Sequence, residues 1–110
     1  MEPIITRKGK AKILIEGEEF TQVYASTDKI IFAISSLQPG QRACLDKGHK
    51  GSDEICYVIN GKIVMHLPGL KEFYLLNEGD SILIPPGESH YAINVGDKEA
   101  ITAWSCAPSL

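Results

Sequence analysis

The chain has 110 residues, with 44% hydrophobic and 23% charged side chains and a formal net charge of -3. These values describe one folded domain spanning 1–110 and argue against intrinsic disorder. The only basic cluster is the short Arg7-Lys8-Gly9-Lys10 stretch, too narrow a footprint for nucleic-acid binding, so no nucleic-acid partner is expected.

The N-terminal Met1-Glu2-Pro3-Ile4-Ile5-Thr6 has an early acid and no long apolar run, and no segment approaches the length of a membrane span. A cytoplasmic location without membrane contact is the expectation. Cys44, Cys56 and Cys106 are odd in number and lack a Cys-x-x-Cys pair, which argues against a disulfide framework and a zinc knuckle.

Short runs rich in β-branched and aromatic residues recur between Gly, Pro, Asn and Asp, and helical periodicity is almost absent. The pattern predicts an all-β chain with strands near 12–16, 20–25, 29–37, 42–46, 54–59, 62–67, 71–76, 81–84, 90–95 and 99–105. Asn60-Gly61 is the strongest hairpin signal. With Pro68-Gly69 and Asn77-Glu78-Gly79-Asp80 it predicts consecutive antiparallel strands from Glu54 to Ile84. The run Ile30-Ile31-Phe32-Ala33-Ile34 is apolar on both faces, which implies burial between two sheets or in a subunit interface. A two-sheet sandwich or barrel accommodates all of this, and a homodimer would cover the apolar strands and open edges.

Alternation along a strand puts His90, Ala92 and Asn94 on one face, and Glu54, Cys56 and Val58 on one face. If both faces line a barrel, His90 and Glu54 are polar groups at one end of a modest cavity. His49 would lie roughly 17 Å from Glu54 on an extended chain, but Lys47-Gly48-His49-Lys50-Gly51-Ser52-Asp53 has the composition of a folded loop. Folding back would bring two imidazoles and one carboxylate together, a set that suits one divalent Fe, Mn, Ni or Zn ion with exchangeable positions.

The stretch Gly79, Pro85, Gly87, His90 and Asn94 matches G-x5-P-x-G-x2-H-x3-N in full, and here the chain resembles the cupins. In their other motif, G-x5-H-x-H-x3,4-E-x6-G, His49, Glu54 and Gly61 fall in place, while Lys47 occupies the first histidine position and Gly40 precedes it by one residue too many. The motifs span about 40–61 and 79–94. The resemblance implies a double-stranded β-helix, or jelly-roll barrel, often dimeric, with metal ligands His49, Glu54 and His90.

Two functions follow as expectations. One is a metal-dependent enzyme acting on a small organic molecule by isomerase, lyase or dioxygenase chemistry. The alternative is a non-catalytic module binding a sugar or similar ligand, with a reduced or absent metal site. Lys47 discriminates between them: an amine turned into the cavity is a candidate catalytic base or anion anchor, and one turned outward indicates a reduced site. Arg42 is a second candidate anion anchor, Cys56 a candidate soft ligand and Asn94 a candidate to orient a ligand or its water. His66 reads as structural, and Tyr57, Tyr91 and Trp104 as core or interface residues.

Overall fold

The structure is a computed structural model describing residues 2–108. Nine strands account for most of it: β1 (Lys12–Glu16), β2 (Glu19–Ser26), β3 (Ile31–Leu37), β4 (Asp53–Asn60), β5 (Ile63–Leu67), β6 (Glu72–Leu76), β7 (Ser81–Ile84), β8 (Tyr91–Asn94) and β9 (Ala100–Ala107). A six-stranded sheet runs β1-β2-β3-β9-β4-β7 and faces a three-stranded sheet ordered β6-β5-β8. Every pairing is antiparallel. This is the double-stranded β-helix expected of the sequence.

Alternation explains how the sheets close on each other. In β4 the inward Cys56 and Val58 are fully buried, while Ile55, Tyr57 and Ile59 are exposed. β5 turns Ile63, Met65 and Leu67 inward, and Leu37, Leu76, Ala92 and Ala100 complete one cluster, with Ile82 and Trp104 packed against it. This cluster fills one end of the barrel. At the other end, shorter and more polar inward side chains leave a hollow.

Two expectations about connectivity are corrected. Asn60-Gly61 is no hairpin within a sheet, because β4 and β5 belong to different sheets. The chain turns a corner there, which buries Val58 and Ile63 against the same core; a flat hairpin would leave one face of each strand open. Gly61 has φ 81°, and a Cβ there would lie 2.8 Å from the Glu99 carbonyl oxygen. The 77–80 turn is a second corner, bound to the first by Gly79 N donating to Val58 O and Val58 N donating to Asp80 O. Of the three turns, only Pro68–Leu70 joins strands that pair, β5 with β6.

The second correction concerns 42–46, which is not a continuous strand. It makes isolated bridges, Arg42 to Ile93, Asp46 to His90 and Gly17 to Ala43. On one side Ala43 N donates to Ala92 O, and on the other Cys44 N donates to Glu16 O. The segment lies between the edge strand β8 and the β1–β2 turn, sharing its backbone groups between both sheets, so a regular ladder on either side is lost. It closes the barrel where the hollow lies.

Candidate metal centre

Three pieces of chain bring the polar side chains together. The corner after β7 delivers His90, the start of β4 carries Glu54, and the closing segment with the loop after it carries Asp46 and His49. The Asp46–His90 bridge is made by both backbone groups, with N···O distances of 2.9 and 2.8 Å. The 47–53 loop folds back, as its glycines predict: Ser52 N donates to His49 O, and Gly87 N also donates to His49 O. Gly48 permits this approach. Its φ is 82°, and a Cβ would lie 2.6 Å from the Glu88 carbonyl oxygen, so any side chain would push the loop off the Pro-Pro-Gly corner.

The result is a tight cluster of donors. His90 Nε2 lies 3.4 Å from Glu54 Oε1 and 3.8 Å from Asp46 Oδ2, and His49 Nε2 lies 3.5 Å from Asp46 Oδ1. Asp46, His49 and Glu54 each offer an atom within 4.8 Å of the others. His90 is 2% exposed; its Nδ1 stands 3.0 Å from the Glu88 carbonyl oxygen. A carbonyl can only accept, so Nδ1 carries a proton and Nε2 is left to face the two carboxylates. The Trp104 ring stacks on the imidazole with centroids 5.7 Å apart.

A nitrogen lone pair and two carboxylates converging on one point repel unless a cation or proton lies between them. Burial, reinforced by Asp46, pushes Glu54 up to about 7, with His49 acting in the opposite direction. Atoms sharing a first-row metal at about 2.0–2.2 Å sit on the order of 3–4 Å apart, which matches these spacings. The donor chemistry and the geometry both fit a divalent ion.

His49, Glu54 and His90 are thus brought together, and Asp46 joins them. The sequence reading missed Asp46 because it counted back from His49, which places Lys47 at the first histidine position. Counting forward from Gly40, the motif's five-residue gap ends on Asp46, and that was the available signal. Lys47 is exposed and does not line the cavity.

The remaining candidates are placed elsewhere. Arg42 lies over the Tyr91 ring, 4.5 Å from its centroid. Cys56 is fully buried in the apolar cluster, and burial pushes its thiol up. Asn94 donates to the carbonyls of Leu37 and Lys98 and accepts from Gly96 N, so its amide clamps a strand end. His66 stacks on Tyr91 at 4.8 Å. Tyr57 is exposed on the outer sheet face, and Trp104 is part of the site wall.

The donors sit on the wall of a cavity of about 280 Å³, at the small end of small-molecule sites. Leu14, Val23, Ile31 and Ala33 form its apolar side, and Glu16, Glu19, Thr21 and Ser35 add polar groups that the sequence reading did not single out. No helix among the described residues is long and apolar enough to cross a membrane.

Comparison with known proteins agrees with the fold. "Cupincin" of Oryza sativa subsp. indica is 32% identical over 91 residues, covering 81% of this chain and 19% of that protein. "Polyketide synthase CurC" of Streptomyces cyaneus is 28% identical over 108 residues, covering 98% and 65%. The chain therefore spans about a fifth of the rice relative and just under two thirds of the bacterial one. Among solved structures, KdgF from Halomonas sp. superposes with TM-score 0.81 at 18% identity, covering 99% of this chain and 96% of that one. A predicted oxalate decarboxylase from Thermotoga maritima superposes with TM-score 0.80 at 25% identity, covering 97% and 100%. The Cupin domain profile matches residues 33–106, more than half of the chain, and the protein belongs to the cupin family.

Proposed function

We propose that Asp46, His49, Glu54 and His90 hold one divalent ion, Fe, Mn, Ni or Zn, and that the protein is a metal-dependent enzyme acting on a small organic molecule. The observation that carries this reading is the grouping of Asp46, His49 and Glu54 within 4.8 Å of one another, with His90 Nε2 3.4 Å from Glu54 and 3.8 Å from Asp46, on the wall of a cavity large enough for a small ligand. A bound ion would supply Lewis acidity at its open positions. The chain's own residues do the rest. The Glu88 carbonyl holds the His90 tautomer, Trp104 covers the ring, and the apolar wall excludes water from the ligand. Relatives described as a polyketide synthase and an oxalate decarboxylase are consistent with small-molecule chemistry on this barrel.

The non-catalytic module is the second reading, and the exposed Lys47 would favour it by the criterion of a reduced site. Asp46 answers that criterion, because its carboxylate stands beside His49 and His90 and keeps the donor count at four. The test is metal content after purification without added metal or chelator. Wild type should carry close to one equivalent, and Asp46→Ala, Glu54→Ala and His90→Ala should each lose affinity by at least about tenfold while remaining folded. A wild type that stays empty in the presence of all four metals rejects the site.

The homodimer belongs to the same proposal. Across the outer face of the six-stranded sheet, one row reads Leu83, Ile55, Ser105, Phe32 and the next Ser81, Tyr57, Ala103, Ile34, Gln22, Ile13, without a charged side chain. Leu83 is 63% exposed and Ile13 50%. A second copy packing this face against itself would cover it.

A further inference from the structure

Two further carboxylates line the cavity and take no part in the ion pairs of the donor cluster. Glu16 and Glu19 flank the Gly17-Glu18 turn, directly opposite each other where β1 pairs with β2, and both line the cavity. Like charges opposed across paired strands destabilise a sheet, so their persistence on an inner face calls for a counter-charge. Glu19 is 8% exposed, and its carboxyl group has no side-chain ion pair among the described residues. No side-chain polar atom among those residues is both sealed off and unpartnered. The Glu19 oxygens therefore open onto the cavity, aimed at whatever occupies it.

The surroundings narrow the chemistry. Burial, then Glu16, then Asp46 and Glu54 push Glu19 up to about 7. Among the described residues, no third metal-ligating side chain joins Glu16 and Glu19 at ligand spacing, so they do not form a second site with three protein ligands. Thr21 and Ser35, the next inward residues, bond to each other at 2.8 Å and leave Glu19 unserved. Among the described residues, the only basic side chains lining the cavity are Lys12, exposed and four residues along β1 from Glu16, and the two histidines of the donor cluster. An anionic ligand would meet four carboxylates, two of them uncompensated by a divalent ion at the donor cluster.

We propose that Glu19, with Glu16 beside it, recognises a cationic nitrogen: the cavity takes a small amine whose ammonium group pairs with these carboxylates while its carbon chain lies against Leu14, Val23 and Ala33. The cavity correspondingly discriminates against carboxylate ligands. This inference rests on the cavity being the binding site proposed above; it does not depend on which metal the donor cluster holds.

The test uses three probes of one shape and different charge, butylammonium, 1-butanol and butyrate, titrated into the zinc-treated full chain at about pH 8, where Glu19 is ionised and the amine still protonated. Trp104, the only tryptophan of the chain, lines the cavity, so its indole N–H resonance reports occupancy. Butylammonium should bind at least about tenfold more tightly than butyrate, with the alcohol between, and Glu19→Gln should bring all three within about threefold. Glu19→Asp, which keeps the charge, should retain the order and serves if the Gln variant does not fold. Butyrate binding as tightly as the amine, no response to any probe, or a preference unchanged in Glu19→Gln would each overturn the inference. Zinc content measured on the same samples reports the metal proposal separately, since an empty donor cluster with the amine preference intact refutes only that proposal.

Discussion

Glu54, His90 and Glu19 are all carboxyl or imidazole groups on inward positions, yet their environments differ. The His90 ring is fixed by Glu88 O at Nδ1, which turns Nε2 toward two carboxylates. The Glu19 carboxyl group has no ion pair among the described residues, and its folded pKa of about 7 lies above the 4.5 of the unfolded chain. Between those values the folded state binds more protons than the unfolded state, so stability falls as pH rises from about 4.5 through about 7. The loss for this one group has an upper bound of roughly 3 kcal/mol. Glu19→Gln should remove that part of the dependence and be more stable than wild type at about pH 8 and not at about pH 4, as read by urea denaturation. A pH profile parallel to wild type would show that Glu19 has a counter-charge after all. At this scale the motif made His49, Glu54 and His90 legible. Asp46 escaped because a one-residue shift in the loop hides it, and Glu16 and Glu19 escaped because acids beside a glycine turn look like a solvated hairpin tip.

At the scale of elements, the strands were legible because alternation and turn residues are local properties. The partners of those strands were not. Asn60-Gly61 provides the positive φ that a tight turn needs, and a corner between sheets needs it as much as a hairpin does. The element that closes the barrel, 42–46, has strand composition and no ladder, since its hydrogen bonds are divided between β8 and the β1–β2 turn. Its register depends on Asn94, 1% exposed, which bonds Leu37 O and Lys98 O and receives Gly96 N, while its own backbone N donates to Gln41 O. Asn94→Ala leaves the buried Leu37 carbonyl, the Lys98 carbonyl and the Gly96 amide without their partner and should cost about 1–3 kcal/mol. Metal content should remain near that of wild type, because the amide touches none of the four donors. Equal losses of stability and metal would assign Asn94 to the site.

For the molecule as a whole, the six-stranded sheet has one face closing the cavity and the other bearing uncharged rows with Leu83, Ile55, Phe32 and Ile13 exposed. The proposed dimer covers this face, so light scattering at micromolar concentration should give twice the chain mass. Leu83→Glu and Ile55→Glu should shift it to the monomer, since a charge buried at an interface without a partner costs several kcal/mol. A monomeric wild type would refute the assignment and leave the face without a partner.

By itself the sequence determined the fold class, the positions of all the strands but the supposed one at 42–46, and three of the four side chains that converge, because β alternation and the two motifs are written in near neighbours. Tertiary structure alone decided which strands share a sheet, that Asp46 and not Lys47 stands with the histidines, and that Glu16 and Glu19 face the same hollow. Each of these depends on contacts between residues far apart in the chain. Such contacts are settled by how the two sheets bury their inner faces and close the barrel, which no local spacing encodes.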